Sequence, residues 1–199
     1  MLFLGFSRII TTSVLVLSMV VCEPISAGAD NRGIVRNIST AEIVHDMGIG
    51  INLGNTMEAC GDWIADVDRE WGDGILETKD YETAWGSPVI TQAMIRGMAD
   101  EGFGVVRVPL AWSNMMADDG KYTINANYAG RVKQIVDWVI DASMYCIINI
   151  HWDNGWVNSF PEEPEGCMKR YEAMWTQIAD IFKNYNDYLV FESQNEELG

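Results

Sequence analysis

A chain of 199 residues is long enough to bury one substantial core. Nearly half of it is hydrophobic (48%), which excludes a disordered chain. Its formal net charge of −16 argues against nucleic acid or an anionic membrane surface as partner, because both would repel it.

The chain opens on a segment that reads as targeting rather than fold. Arg8 supplies a positive start, and the apolar run from Ile9 to Val21 is short for a membrane span. Ile25-Ser26-Ala27 offers small residues for cleavage. The expectation is a signal peptide over 1–27 and an exported protein with no stable membrane association. Its removal leaves Cys60, Cys146 and Cys167, an odd number that excludes a complete disulfide framework. Cys146 lies in an apolar run and reads as a buried thiol, whereas a bridge between Cys60 and Cys167 stays open. The only two histidines, His45 and His151, are too few for a zinc cluster. The acidic stretch from Glu58 to Glu82 lacks the regular spacing of a calcium loop and reads as solvated. No metal is therefore expected.

Ser39-Thr-Ala-Glu42 carries a capping-box pattern that opens a helix, and Gly48 closes it. Gly50–Gly54 reads as a first strand. From Asn55 to Trp85 the composition predicts a long loop, packed through Trp63, Trp71 and Trp85. Ser87-Pro88 predicts the start of a second helix, with Val89, Ile90, Ala93, Met94, Gly97 and Met98 on its apolar face. Val105–Pro109 is the second strand. Tyr128, Val132, Ile135, Val136, Val139 and Ile140 mark the next helix, and Tyr145–His151 the third strand. Tyr171, Met174, Trp175, Ile178 and Phe182 mark another helix. A fourth strand then runs from Tyr188 into Asn195-Glu196.

Strands alternating with amphipathic helices predict an α/β fold with a parallel sheet. At period two, one face of the strands carries Ile51 and Leu53, Val106 and Val108, Ile148 and Ile150, Leu189 and Phe191. The other carries Asn52, then Arg107, then Asn149 and His151, then Glu192, Gln194 and Glu196. A doubly wound sheet is covered by helices on both faces and needs both apolar. A (β/α)8 TIM barrel has one face under helices, one face inside, and its chemistry at the C-terminal ends of the strands. The pattern predicts the barrel, with only about the first four strands present, so that 28–199 is the N-terminal half of a catalytic barrel.

Arg107, His151, Asn195 and Glu196 are predicted to meet at the barrel mouth. Burial raises the pKa of a carboxylic acid and a nearby arginine lowers it, so Glu196 can be tuned for general acid/base work. Glycoside cleavage needs a second carboxylate, placed about 5–5.5 Å away in retaining enzymes. Glu192 lies about 13 Å down the same strand at roughly 3.3 Å per residue, which is too far. The partner is therefore expected beyond Gly199. Asn195 and Glu196 are sequence neighbours, so both reach one site only if the strand twists or bulges at its end. Six of the eight tryptophans (Trp63, Trp71, Trp85, Trp112, Trp152, Trp156) are predicted in loops after strands, where indoles are platforms for sugar faces. Trp138 and Trp175 are predicted on helices.

Five stretches in this order resemble glycoside hydrolase family five, the family of secreted endoglucanases. They are Gly50-Ile-Asn-Leu-Gly-Asn55, Glu82-Thr-Ala-Trp-Gly-Ser-Pro88, Val106-Arg-Val-Pro109, Ile148-Asn-Ile-His151 and Phe191-Glu-Ser-Gln-Asn-Glu196. The resemblance implies an eightfold barrel and a retaining, cofactor-free hydrolysis of β-linked polysaccharide. It implies Glu196 as acid/base, Asn195 on the hydroxyl beside the reacting carbon, Arg107 orienting the nucleophile, and His151 binding sugar next to the cut. Asn55, Trp85, Trp112, Trp152 and Trp156 are the expected substrate-binding residues. Two positions depart from the family pattern: Glu197 stands where proline usually follows the acid, and Trp152 where a second histidine often stands. The expected activity is endo-β-1,4-glucan cleavage, with further modules in the complete protein. The rivals are a non-catalytic carbohydrate-binding half-barrel, and the same chemistry on xyloglucan, mannan or xylan.

Overall fold

The computed structural model describes residues 36–117 and 119–195. The expected signal peptide and Glu196 both lie outside the described residues. Four parallel strands form one sheet in the order β1-β2-β3-β4: β1 Gly50–Asn52, β2 Val105–Val108, β3 Tyr145–Asn149 and β4 Leu189–Glu192. Each strand lies beside its predecessor, with no reversal of order such as a doubly wound sheet requires. This is the architecture of the first four strands of an eightfold β/α barrel.

The register aligns Ile51, Val106, Cys146 and Leu189 in one row and Val108, Ile148 and Phe191 in the next. Val106, Val108, Cys146 and Ile148 are completely buried there, in one core with Val132, Ile135, Val136, Val139, Met174, Ile178 and Phe182. Those partners come from α5 (Ala126–Asp141) and α6 (Pro164–Phe182). Asn52 and Arg107 pair on the opposite face, and Asn149 pairs with Glu192 two residues further along. The division into an apolar helix side and a polar inner side is the one predicted. Phe191, at the sheet edge, is on the helix side but 46% exposed, edge-on to Trp175.

α1 (Thr40–Met47) carries the predicted capping box, with Ser39 and Glu42 bonded reciprocally and Gly48 as C-cap. The segment read as a loop from Asn55 to Trp85 instead holds two helices, α2 (Trp63–Trp71) and α3 (Thr78–Ala84). α4 runs from Gln92 to Asp100, capped by Thr91 rather than opened by Ser87-Pro88. The reason lies in Glu82, whose Oε2 accepts the Ile90 N–H at 2.9 Å and holds that stretch in a connector. Arg131 on α5 grips the same carboxylate from Nε (2.6 Å) and Nη2 (2.9 Å), and donates to the Ile90 carbonyl at 2.7 Å. Cys60, Cys146 and Cys167 are all buried free thiols, so no Cys60–Cys167 bridge forms. Burial pushes the Cys146 thiol up.

The two ends of the sheet differ. At the N-terminal end, Tyr145 and Tyr188 stack with centroids 4.7 Å apart. Arg36 lies over Tyr188 at 4.3 Å and donates through Nε to Asp187 at 2.7 Å. The aromatic clamp closes that end, and the polar groups with chemistry gather at the other.

Candidate active site

Arg107 is the centre of the polar face. It projects from β2 and donates to Glu192 on β4 through Nε (2.6 Å) and Nη2 (2.5 Å). The same Nη2 reaches Asn195 Oδ1 at 2.8 Å, and Nη1 reaches Asn52 Oδ1 on β1 at 3.1 Å. Asn149 on β3, completely buried, donates to Glu192 Oε1 at 3.1 Å and lies 3.2 Å from His151 Nδ1. One arginine thus joins groups from three other strands or strand ends. The planar guanidinium fork suits this bidentate hold on a carboxylate.

Arg107's hydrogen bonds hold the Glu192 carboxyl below the usual carboxylate range, and Asn149 and the charges of Arg107 and His151 add to the effect. Stabilisation from a depressed acid is complete above the ordinary glutamate pKa, about 4.3. It is lost as pH falls through the lower folded-state value. Thermal melting between pH 3 and 6 should therefore fall more steeply toward acid in the native protein than in Glu192→Gln. Parallel curves would exclude Glu192 as a contributor.

Asn195 reaches the site through the irregularity that the sequence required. Its backbone N–H donates to the Ile150 carbonyl at 3.1 Å, so the chain still follows β3 beyond β4. Regular alternation would place residues three apart on opposite faces. Yet Glu192 and Asn195 bind the same arginine. Gln194, expected on the inner face, instead lines a cavity on the helix side with Trp156, Phe160, Met168 and Tyr171. The alternation breaks between Glu192 and Asn195, as β-bulges do beside sites.

The residues expected to bind substrate divide. Asn55 is exposed just past β1, with φ +60° and its N–H held by the Glu58 carboxylate. Gly54 makes the approach possible, because a Cβ there would lie 2.7 Å from Asn52 Nδ2. Trp85 and Trp152 are exposed by 40% and 49%. Trp112 is completely buried instead, its indole N–H donating to the Asn149 carbonyl at 2.8 Å and its ring edge-on to Tyr128. It is a core residue beneath the site and cannot touch a sugar. Trp156 is half-buried, with Arg170 over its ring at 4.8 Å. Trp63 and Trp71 lie on α2, not in a loop.

Sequence reasoning missed Asp153. This fully buried carboxylate accepts from Ser113 N–H (2.8 Å), Ser113 Oγ (2.7 Å) and Trp156 Nε1 (2.9 Å). It ties the connection after β2 to the one after β3. Burial pushes its carboxyl up, against those three hydrogen bonds and the nearby Arg170. Asp153, Asn154 and Gly155 all have positive φ, and a Cβ on Gly155 would meet the Trp152 ring at 3.0 Å. No sequence signal separates such an acid from a solvated one. Asn149 had a signal, a lone amide on the inner face of an apolar strand.

Residues 67–199 match the model of the cellulase family, glycosyl hydrolase family 5. Endoglucanase B of Clostridium cellulovorans is 35% identical over 81% of this chain and 32% of its own length. The xyloglucan-specific endo-beta-1,4-glucanase of Bacteroides ovatus is 37% identical over 84% of this chain and 31% of its own. Among solved structures, a broad specificity endoglucanase from Ruminococcus champanellensis with bound cellotriose superposes with a TM-score of 0.72. It is 35% identical, over 81% of this chain and 44% of that one. The chain spans about a third of the length of the curated relatives it matches.

Proposed function

Because the chain belongs to glycosyl hydrolase family 5, we propose that it is the N-terminal portion of a retaining endo-β-1,4-glucanase with Glu196 as acid/base. The observation that carries this reading is the Arg107 cluster at the C-terminal ends of the strands. Asn195 is already turned inward and bonded to Arg107, and Glu196 is the next residue. In this reading Glu196 protonates the leaving oxygen and later activates water. Asn195 binds the hydroxyl beside the reacting carbon, and His151 binds sugar next to the cut. Trp85 and Trp152 offer exposed indoles to sugar faces, with Asn55 at the same end of the sheet.

Glu192 is unsuited to the second carboxylate's role. Both its oxygens are engaged by Arg107, and Asn149 adds a further bond. The nucleophile then lies in a later strand, beyond Gly199, where Arg107 orients it. The greater length of the relatives supports this, and leaves room for additional modules. The segment from Met1 to Ala27 supports export of the enzyme to where polysaccharide is found.

The substrate in this reading is an unbranched β-1,4-glucan. Xyloglucan is the second reading, favoured by the Bacteroides ovatus relative. Viscometry of the full-length protein on hydroxyethyl cellulose, xyloglucan, mannan and xylan separates them. A rapid fall in viscosity with few new reducing ends is expected on the cellulose derivative. A faster fall on xyloglucan would favour the second reading, and binding without cleavage of any polymer would leave only a carbohydrate-binding role.

A further inference from the structure

Asp153 has no part in the catalytic reading, yet it stands directly after His151 and Trp152. Trp152 opens a tight turn, its carbonyl accepting the Gly155 N–H at 2.7 Å. Both central residues are left-handed, Asp153 at φ +50° and Asn154 at φ +65°. Asp and Asn tolerate this region better than other side chains do, but such positions persist only where the surroundings fix them. The turn in its turn seats an indole. A Cβ on Gly155 would lie 3.0 Å from Cε2 and Cζ2 of Trp152, so the ring rests on bare backbone. Any change in the turn therefore moves the exposed ring.

The Asp153 carboxylate fixes the turn from inside. Oδ1 accepts the Ser113 N–H, and Oδ2 accepts from Ser113 Oγ and Trp156 Nε1. Arg170 Nη2 donates to Ser113 Oγ, which leaves the hydroxyl's own hydrogen for Asp153. All three partners donate, so an ionised carboxylate suits them together. An amide would set its NH2 against an N–H in either orientation, that of Ser113 in one and that of Trp156 in the other. The clamp thus depends on the acid and not merely on its size.

His151 is supported separately. Its N–H donates to the Leu110 carbonyl at 2.8 Å, and its Nδ1 lies 3.2 Å from Asn149 Nδ2. Adjacent residues at the end of β3 therefore answer to different partners. Asn149 belongs to the Arg107 cluster, whereas Asp153 reaches across to the connection after β2.

We propose that Asp153 is a positioning residue for the reaction: its clamped carboxylate holds the 153–155 turn under Trp152 and so sets the plane on which a glucosyl ring stacks. Asp153 is completely buried and touches no sugar itself. It acts on binding through Trp152 and leaves His151 and the Arg107 cluster in place. The inference rests on the β-glucanase reading.

The test is cellotetraose hydrolysis by the full-length protein, beside calorimetric cellotetraose affinity in a Glu196→Gln background. Asp153→Asn and Trp152→Ala should each raise KM and Kd about tenfold, as loss of one stacked aromatic contact does. kcat should stay close to its native value, because the lost contact serves ground state and transition state alike. The double variant should bind no worse than Trp152→Ala alone, since both changes remove the same contact. Ser113→Ala takes away one of the three donors and should shift KM in the same direction by less; it carries the test if Asp153→Asn does not fold. A purely structural acid would instead lower kcat through the active fraction, leave KM unchanged, and add its effect to that of Trp152→Ala. That pattern overturns the inference, as does an unchanged KM in both Asp153→Asn and Ser113→Ala; in either case normal hydrolysis by the native protein leaves the catalytic reading intact. If cellotetraose is bound but not hydrolysed, and Asp153→Asn weakens binding only while Trp152 is present, the positioning role stands and the catalytic reading falls. Neither binding nor hydrolysis would overturn both.

Discussion

Glu196→Gln in the full-length protein is expected to slow hydrolysis of unactivated cello-oligosaccharides by about 10²–10⁴-fold, the usual contribution of a general acid/base. The loss should be far smaller in the glycosylation step of aryl glycosides, whose leaving groups depart without a proton. That difference isolates the acid role, because a merely structural defect lowers both rates alike. The amide preserves size and hydrogen bonding but carries no transferable proton. Equal losses on both substrates would remove Glu196 from the acid position. Asn195 supplies the physical basis for the expectation, because it holds this part of the chain to Arg107 at 2.8 Å on one side and to the Ile150 carbonyl at 3.1 Å on the other.

Glu82→Ala is expected to cost about 3–5 kcal/mol of stability, the range for breaking a buried ion pair by removing one partner. Glu82 is 1% exposed and Arg131 is largely buried against it. The variant leaves the guanidinium without its carboxylate and the Ile90 N–H without an acceptor, and so unpins α3 and the connector to α4 from α5. Glu82→Gln keeps an acceptor for Ile90 and should cost less. Urea unfolding reads both, as a shift in midpoint at constant slope. A midpoint within experimental error of the native protein's for Glu82→Ala would show that the pair contributes nothing net.

Much of this was legible in the sequence, where local chemistry decides. The period-two pattern placed Asn52, Arg107, Asn149 and Glu192 on one face because strand geometry leaves no other choice. The adjacency of Asn195 and Glu196 required a break in alternation, and the break lies between Glu192 and Asn195. Ser39 and Glu42 declared their helix because a capping box is completed within four residues. What failed depended on distant partners. Ser87-Pro88 has the form of a helix start, but Glu82 takes the Ile90 N–H and the helix waits for Thr91. Trp112 has the composition of a sugar platform and the position of a core residue, a distinction made only by Asn149 and Tyr128 packing against it. The stretch from Asn55 to Trp85 was hidden by its glycines and acids, although Trp63, Val67 and Trp71 already kept helical spacing.

The account stands or falls on two carboxylates acting in sequence across a barrel mouth, one of them Glu196. Proton NMR of cello-oligosaccharide hydrolysis by the full-length protein tests that directly, because each product's anomeric signal reports the stereochemistry of the cut before mutarotation. Double displacement predicts the β-anomer first, with the α-anomer appearing only as the sugars equilibrate. An α-anomer formed first, or no cleavage of any β-1,4-glucan, would contradict it.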